Sequence, residues 1–197
     1  MLNIGVLISG GGTNLQAIID GTKTGLINGK IQVVISSKEE AYGLERARLS
    51  EIKAVYETDE DKIIEILKEN NIDLIVLAGY LKIITPRFVD EFRNKIINIH
   101  PSLIPSFCGK GYYGERVHQG VIDYGAKVTG ATVHFVDEGA DTGAIIMQET
   151  VNVKQDDDAK SLAKRVLEVE HRILKESIRL FCENKLSIQG RRVFINE

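Results

Sequence analysis

Cysteine is scarce in this sequence, because Cys108 and Cys182 are the two cysteines among 197 residues. Two cysteines cannot build a disulfide framework, and they lack the spacing of a zinc site, so we expect both thiols to be free. Long apolar runs are also missing, since none approaches the roughly 20 residues of a membrane helix. A strand-like run follows Met1 without a basic flank, which predicts no signal peptide, no membrane partner and a cytoplasmic protein.

The sequence has no large excess of either charge. Its net charge is -3 at pH 7 and its pI is near 5.9, so composition gives no reason to expect a nucleic-acid partner. The pair Arg191-Arg192 is interpreted as a solvated tail. Internal repeats, low-complexity tracts and linkers are absent as well. We therefore predict one domain over residues 1-197, as a monomer or homodimer.

Short apolar runs and amphipathic stretches alternate through the first hundred residues. This alternation predicts an α/β fold with a doubly wound, mostly parallel sheet of the Rossmann-like kind. The predicted strands are 3–8, 31–37, 54–56, 73–78 and 96–100, and the predicted helices are 15–21, 42–49, 59–70 and 86–92.

The alternation ends at His100, where a loop rich in Gly and Pro begins. A short helix is predicted over 115–124, followed by two strands, 127–137 and 144–153, that should pair antiparallel. Apolar residues between 158 and 184 form one stripe, which predicts a long C-terminal helix. Asp156–Asp158 is interpreted as the start of that helix and not as a metal site, because no further ligands follow at EF-hand spacing.

A glycine-rich loop, Ser9–Asn14, lies between the first strand and the first helix. Backbone amides at such a helix start favour a bound phosphate, although a tight turn with an Asn cap explains the same pattern. Leu15 and Ser36-Ser37 stand where a dinucleotide site needs a glycine and an acid, and the Walker pattern is absent. With these two kinds of site disfavoured, a monophosphate is the favoured ligand for the loop.

Asn98 and His100 lie on one face at the carboxyl end of a predicted buried strand, where such sheets bind ligands. Both side chains are also compatible with a purely structural role. The acidic loop 137–143 is compatible with a simple hairpin turn. If Asp141 reaches His100, its carboxylate is expected to raise the histidine pKa and to produce an acid that works near neutrality.

Four segments in this order resemble the glycinamide ribonucleotide formyltransferase family, the folate-dependent enzymes of purine synthesis. The resemblance runs from Ile4 to about Phe181. The segments are Leu7–Ile18, Leu77–Leu81, Asn98–Pro105, and His134–Val136 followed by Asp141.

This resemblance implies a Rossmann-like formyltransferase fold whose co-substrate is 10-formyltetrahydrofolate and whose acceptor is 5-phosphoribosylglycinamide, with no metal. It implies a phosphate-binding half over about 1-100 and a folate-binding and catalytic half over about 101-197. The implied catalytic residues are Asn98, His100 and Asp141; the substrate residues are Gly11, Gly12, Thr13, Asn14 and Glu170; and the folate residues are Leu81, Lys82, Ile83, Ile84, Val136, Asp137, Glu138, Gly139 and Ala140.

The implied chemistry is direct transfer, in which Asn98 and a His100 held cationic by Asp141 stabilise the negative oxygen of a tetrahedral intermediate. The sequence departs from the family in its loop 107–112, and around Thr58–Lys62, where many members have a basic substrate contact. His118 and His171 are interpreted as surface or boundary residues, and His134 as a supporting residue. The alternatives are another folate-dependent formyltransferase, a formyl-folate hydrolase, or a non-catalytic module that binds a phosphate ligand.

Overall fold

The computed structural model describes residues 1–196, so Glu197, the last residue of the predicted domain, lies outside the described residues. A sheet of nine strands has the order β3-β2-β1-β4-β5-β6-β7-β9-β8. Its strands are β1 (Leu2–Ile8), β2 (Gly29–Ser36), β3 (Lys53–Tyr56), β4 (Leu74–Leu77), β5 (Ile96–His100), β6 (Val128–Phe135), β7 (Ile145–Asn152), β8 (Leu186–Gln189) and β9 (Arg192–Ile195). The helices are α1 (Thr13–Lys23), α2 (Tyr42–Leu49), α3 (Glu60–Glu69), α4 (Pro86–Glu91), α5 (Glu115–Tyr124) and α6 (Ala159–Cys182).

Strands β1 to β5 form the parallel part of the sheet, which confirms the predicted fold class. Side chains alternate along β1, so Ile4 and Val6 pack with one apolar layer while Leu7 packs with the layer on the opposite face. Burial on both faces explains why these strands read as continuous apolar runs. Strand order reverses at β1, which lies between β2 and β4, and crevices form at the carboxyl ends of strands at such a point.

The antiparallel part begins where β6 pairs with β5, and β7 then pairs with β6, as predicted. In the first pair, His134 lies opposite Asn98 and Thr132 lies opposite His100. A non-local strand pairing therefore brings a second histidine to the strand end that carries the first.

Arg191 and Arg192 are exposed, as predicted, but they belong to a hairpin and not to a tail. Strands β8 and β9 form a hairpin around Gly190, whose φ of 60° suits a glycine turn, and Arg192 of β9 pairs with Ile145 of β7. Arg191 donates from Nη2 to the Thr142 carbonyl at 3.0 Å. The strands are only four residues each, which is too short for alternation to identify them in the sequence.

The longest helix, α6, has 24 residues and begins at a capping box. Asp158 accepts a hydrogen bond from the Ser161 amide at 2.7 Å, and the Ser161 hydroxyl accepts one from the Asp158 amide at 3.0 Å. The long helix is present as predicted, and its apolar stripe is largely buried, with the helix lying against β6 and β7. Within residues 1–196, no helix combines the length and the apolar character needed to cross a bilayer.

Replacing Asp158 with alanine should lower the free energy of unfolding by about 1 kcal/mol, because the Ser161 amide in the first turn of α6 loses the carboxylate that accepts its hydrogen bond. Urea denaturation of both proteins measures this difference. Asp156→Ala is the matched control, since its exposed side chain takes no part in the cap. Equal losses in the two variants would show that the cap does not stabilise the helix.

Candidate active site

A cleft of about 300 Å³ opens at the carboxyl ends of β4 and β5. Its walls come from the segment after β4, the loop before α5 and the turn between β6 and β7. Every residue expected at a folate pocket lines this one cleft, together with the three expected catalytic residues. These lining residues are Leu81, Lys82, Ile83, Ile84, Val136, Asp137, Glu138, Gly139 and Ala140, with Asn98, His100 and Asp141.

Asn98, His100 and Asp141 meet at the floor of the cleft. Two residues apart on β5, Asn98 and His100 project to the same side of the strand. Asp141 comes from the turn between β6 and β7, and its carboxylate lies 3.6 Å from His100 Nδ1 and 3.5 Å from Asn98 Nδ2. Residues separated by about forty positions thus share one small volume.

The hydrogen bonds assign the tautomer of His100. Its Nε2 lies 2.9 Å from the Phe107 carbonyl, which only accepts, so Nε2 carries a hydrogen. The nitrogen left to gain or lose a proton is Nδ1, which faces Asp141. This is the atom at which His100 would exchange a proton with a substrate.

The expectation that Asp141 keeps His100 cationic is wrong. Burial lowers the pKa of His100 below its ordinary value of 6.5, and this outweighs the Asp141 carboxylate and the Phe107 carbonyl, which both raise it. The neighbouring His134 also lowers it. An imidazole with a lowered pKa is mostly neutral at pH 7, so His100 is ready to accept a proton rather than to donate one.

Asp141 stays ionised despite its position. Burial raises the pKa of this carboxyl, but contacts with His134, His100 and the Gly109 amide together lower it more. The Gly109 amide donates to Asp141 Oδ2 at 2.8 Å. The negative Asp141 carboxylate therefore lies beside the neutral His100 ring, and the attraction between them becomes strong only when His100 takes up a proton.

His134 orients the Asn98 amide. Its Nδ1 donates to the Phe135 carbonyl at 2.7 Å, and its Nε2 faces Asn98 and Asp141. Asn98 Nδ2 lies 3.1 Å from that Nε2, so the network places the amide nitrogen of Asn98 toward His134 and Asp141. The supporting role expected for His134 has a geometric basis that the antiparallel register provides.

The loop at 107–112 differs from the family in sequence but holds the site through its backbone. The Phe107 carbonyl binds His100 and the Gly109 amide binds Asp141. Burial and the Asp141 charge raise the pKa of the Cys108 thiol, which contacts the Pro105 carbonyl and is not activated. Because carbonyl and amide groups make these contacts, side-chain motifs could not reveal them.

The glycine loop ends at Gly12, the first flanking residue of α1, which has a left-handed φ of 71°. No side chain caps α1, whereas Asp59 and Thr85 cap α3 and α4. The Asn cap considered as an alternative is absent, because Asn14 instead donates to Glu170 Oε2 at 2.8 Å. The amides of the first turn are thus left for a ligand or solvent.

Glu170 lines a second depression, between α5 and α6, and Gly114 lines both this depression and the cleft. Burial raises the pKa of Glu170, and the hydrogen bond from Asn14 opposes that rise. His118 lines the same depression and is buried, so its interpretation as a surface or boundary residue is wrong. Burial and the nearby His100 lower the pKa of His118 to about 4.

No cluster of His, Cys, Asp or Glu suited to a metal ion occurs within residues 1–196.

Comparison with known proteins identifies the family of this chain. A family model described as formyl transferase matches residues 2–178. The chain belongs to the formyl transferase family. Because the match extends from β1 into α6, it includes the glycine loop, the Asn98–Asp141 cluster and Glu170.

Relatives of this chain include both sequences and solved structures. Phosphoribosylglycinamide formyltransferase from Haemophilus influenzae is 42% identical, and the match covers 100% of this chain and 94% of that one. The chloroplastic enzyme of the same name from Vigna unguiculata is 40% identical over 93% of this chain, which spans only 62% of that protein's length. The crystal structure of glycinamide ribonucleotide transformylase 1 from Symbiobacterium toebii has 45% identity and a TM-score of 0.94, covering 100% of this chain and 95% of that one.

Proposed function

We propose that this protein transfers the formyl group of 10-formyltetrahydrofolate to the amine of 5-phosphoribosylglycinamide. The names of its relatives support this acceptor. The observation that carries the proposal is the meeting of Asn98, His100 and Asp141 on the floor of the cleft, beside the depression that Glu170 lines. Donor and acceptor would approach this cluster from the two sides.

The folate would enter the larger cleft. Leu81 and Ile83 expose apolar side chains on one wall, and the backbone of 137–140 forms the other. A flat heteroaromatic ring suits a slot with apolar faces and backbone donors and acceptors at its edge. The cleft uses residues from both sides of position 100, so the proposed halves of one domain, 1–100 and 101–197, would cooperate in holding the donor.

The acceptor would bind on the side of the glycine loop. Its phosphate would sit on the uncapped amides of Gly11, Gly12, Thr13 and Asn14 at the start of α1, where the helix dipole favours an anion. Glu170, fixed by Asn14, would contact the glycinamide end. This arrangement would bring the acceptor amine toward His100.

In the reaction, the amine nitrogen forms a bond to the formyl carbon, and the carbonyl electron pair moves to oxygen. One Asn98 N–H is bound to His134, and the other makes a long 3.5 Å contact with Asp141 that the new oxyanion can replace. His100 takes the amine proton at Nδ1, and Asp141 stabilises the resulting imidazolium. Collapse of the intermediate breaks the bond to the folate nitrogen, which leaves with that proton.

The turnover assay supplies both substrates and follows the deformylated folate. We expect product only when both are present. Folate release without the acceptor would indicate a hydrolase instead, and phosphate-ligand binding without turnover would indicate a binding module. Turnover of a different amine in place of phosphoribosylglycinamide would identify another formyltransferase.

Replacing Asp141 with asparagine should lower the His100 pKa further, because the carboxylate is a cause that raises it. Since the neutral form of His100 accepts the proton, activity falls as pH drops through that pKa, and the acidic limb of the pH–rate profile should move to lower pH. The plateau should also fall, because the imidazolium loses its counter-charge. An acidic limb at the same pH as in the wild type would argue against coupling of the two residues.

A further inference from the structure

Arg46 of α2 holds the glycine loop from behind. Its Nε donates to the Gly11 carbonyl at 2.8 Å, and its Nη1 lies 3.2 Å from Gln16 Oε1 on α1. The guanidinium stacks over the Tyr42 ring, 5.0 Å from its centroid. The side chain thus connects α2, the loop and α1.

The backbone of α2 grips the same loop. The Gly43 amide donates to the Gly10 carbonyl at 3.0 Å. Gly12 lies so close that an added Cβ would approach the Gly43 Cα to 2.7 Å. Two successive carbonyls, those of Gly10 and Gly11, therefore bond to donors on α2.

These two bonds orient the amides of the loop. In a planar trans peptide, the N–H points opposite to the C=O of the same unit. Because the Gly10 and Gly11 carbonyls point toward α2, the amides of Gly11 and Gly12 point away from it. Arg46 directly sets the second of these peptide units, whose N–H belongs to Gly12.

Arg46 also places a positive charge behind the loop. It forms no ion pair with any of residues 1–196, whereas Arg48 on the same helix pairs with Glu45 at 3.7 Å. An unneutralised guanidinium bonded to the loop favours a dianion on the opposite side of the peptide.

We infer that Arg46 is a positioning residue that makes the site selective for phosphorylated acceptors. It fixes the peptide between Gly11 and Gly12, and the positive charge of its guanidinium favours the phosphate dianion. This inference rests on the proposed function. A purely structural Arg46 would give a different result, because general loosening of the fold would weaken phosphorylated and dephosphorylated acceptors alike.

The test compares Arg46→Gln, Arg46→Lys and the matched control Arg48→Gln, using phosphoribosylglycinamide and its dephosphorylated riboside. Arg46→Gln should raise KM for the phosphorylated acceptor on the order of tenfold, with kcat within about twofold of the wild type. For the riboside, kcat/KM should stay within about twofold. Arg46→Lys should have a KM between those of Arg46→Gln and the wild type, because lysine keeps the positive charge but lacks the several fixed N–H donors of the guanidinium. Arg48→Gln should behave as the wild type.

Equal losses for both acceptors, or an unchanged KM in Arg46→Gln, would overturn the inference while leaving the proposed function in place. If the wild type does not turn over phosphoribosylglycinamide, the proposed function fails. The role of Arg46 is then tested separately, by measuring how inorganic phosphate binds to the glycine loop. Titration followed by the backbone amide NMR signals of Gly11 and Gly12 should then saturate in the wild type and weaken about tenfold in Arg46→Gln. Absence of saturable phosphate binding in the wild type, or equal binding by the two proteins, would overturn it.

Discussion

Replacement of His100 by alanine is expected to lower kcat by roughly 10²–10⁴-fold, the usual effect of losing a positioned acid/base group. His100 is the imidazole on the cleft floor whose free nitrogen, Nδ1, faces Asp141. Without it, the proton released by the attacking amine has to pass to water. Steady-state kinetics at saturating concentrations of both substrates measure the loss, with His171→Ala as a histidine control on the far side of α6, where it lines a different groove.

The fold should tolerate this change. The Phe107 carbonyl loses its bond from His100, but the Ser102 hydroxyl lies 3.2 Å away and can share with it, or turn toward it, the one hydrogen that it now donates to the Ser106 carbonyl at 2.6 Å. Thermal melting of the variant should therefore remain cooperative and close to that of the wild type. Full turnover in a folded His100→Ala protein would remove His100 from the proposed chemistry.

Replacement of Asn98 by alanine is expected to lower kcat by about 10²–10³-fold, with a smaller change in KM for either substrate. The reason is that Asn98 would donate to an oxygen that becomes negative only as the intermediate forms. His134, opposite Asn98 across the β5–β6 pair, holds the amide so that its nitrogen lies near Asp141 at the floor of the cleft. Single-turnover kinetics separate the chemical step from product release.

A matched comparison distinguishes lost stabilisation from disturbed geometry. Asn98→Asp keeps the size of the side chain but adds a carboxylate beside Asp141, so it should lose at least as much activity as Asn98→Ala. Near wild-type kcat in either variant would show that the oxyanion is stabilised elsewhere. A loss in KM alone would mean that Asn98 binds substrate equally in the ground state and the transition state.

Sequence alone could predict the elements that have a strong periodic signal. Buried strands such as β1 and β4 are continuous apolar runs, and α6 carries one long apolar stripe behind an Asp cap. The glycine loop can be recognised in the sequence because successive glycines between a strand and a helix are typical of a tight turn that exposes backbone amides to an anion. The sequence predicts the meeting of Asp141 with His100 only as a conditional hypothesis, because it depends on pairings between distant strands.

Other features depend on balances that the sequence does not contain. The sign of the His100 pKa shift results from burial competing with Asp141, and burial is known only once the chain is folded. His118 is a polar residue on a helix, so the sequence around it does not predict that it is buried. Its burial follows from how the folded chain packs around it. The bonds of Phe107 and Gly109 to the catalytic pair come from backbone atoms, which every residue shares.

Direct formyl transfer is tested by an experiment with isotopic labels on the formyl carbon of the donor and on the amine nitrogen of phosphoribosylglycinamide. The product of the wild type should show a one-bond carbon–nitrogen coupling in its NMR spectrum, and His100→Ala should form this product far more slowly. Label that appears as free formate at the same rate with or without the acceptor would contradict direct transfer.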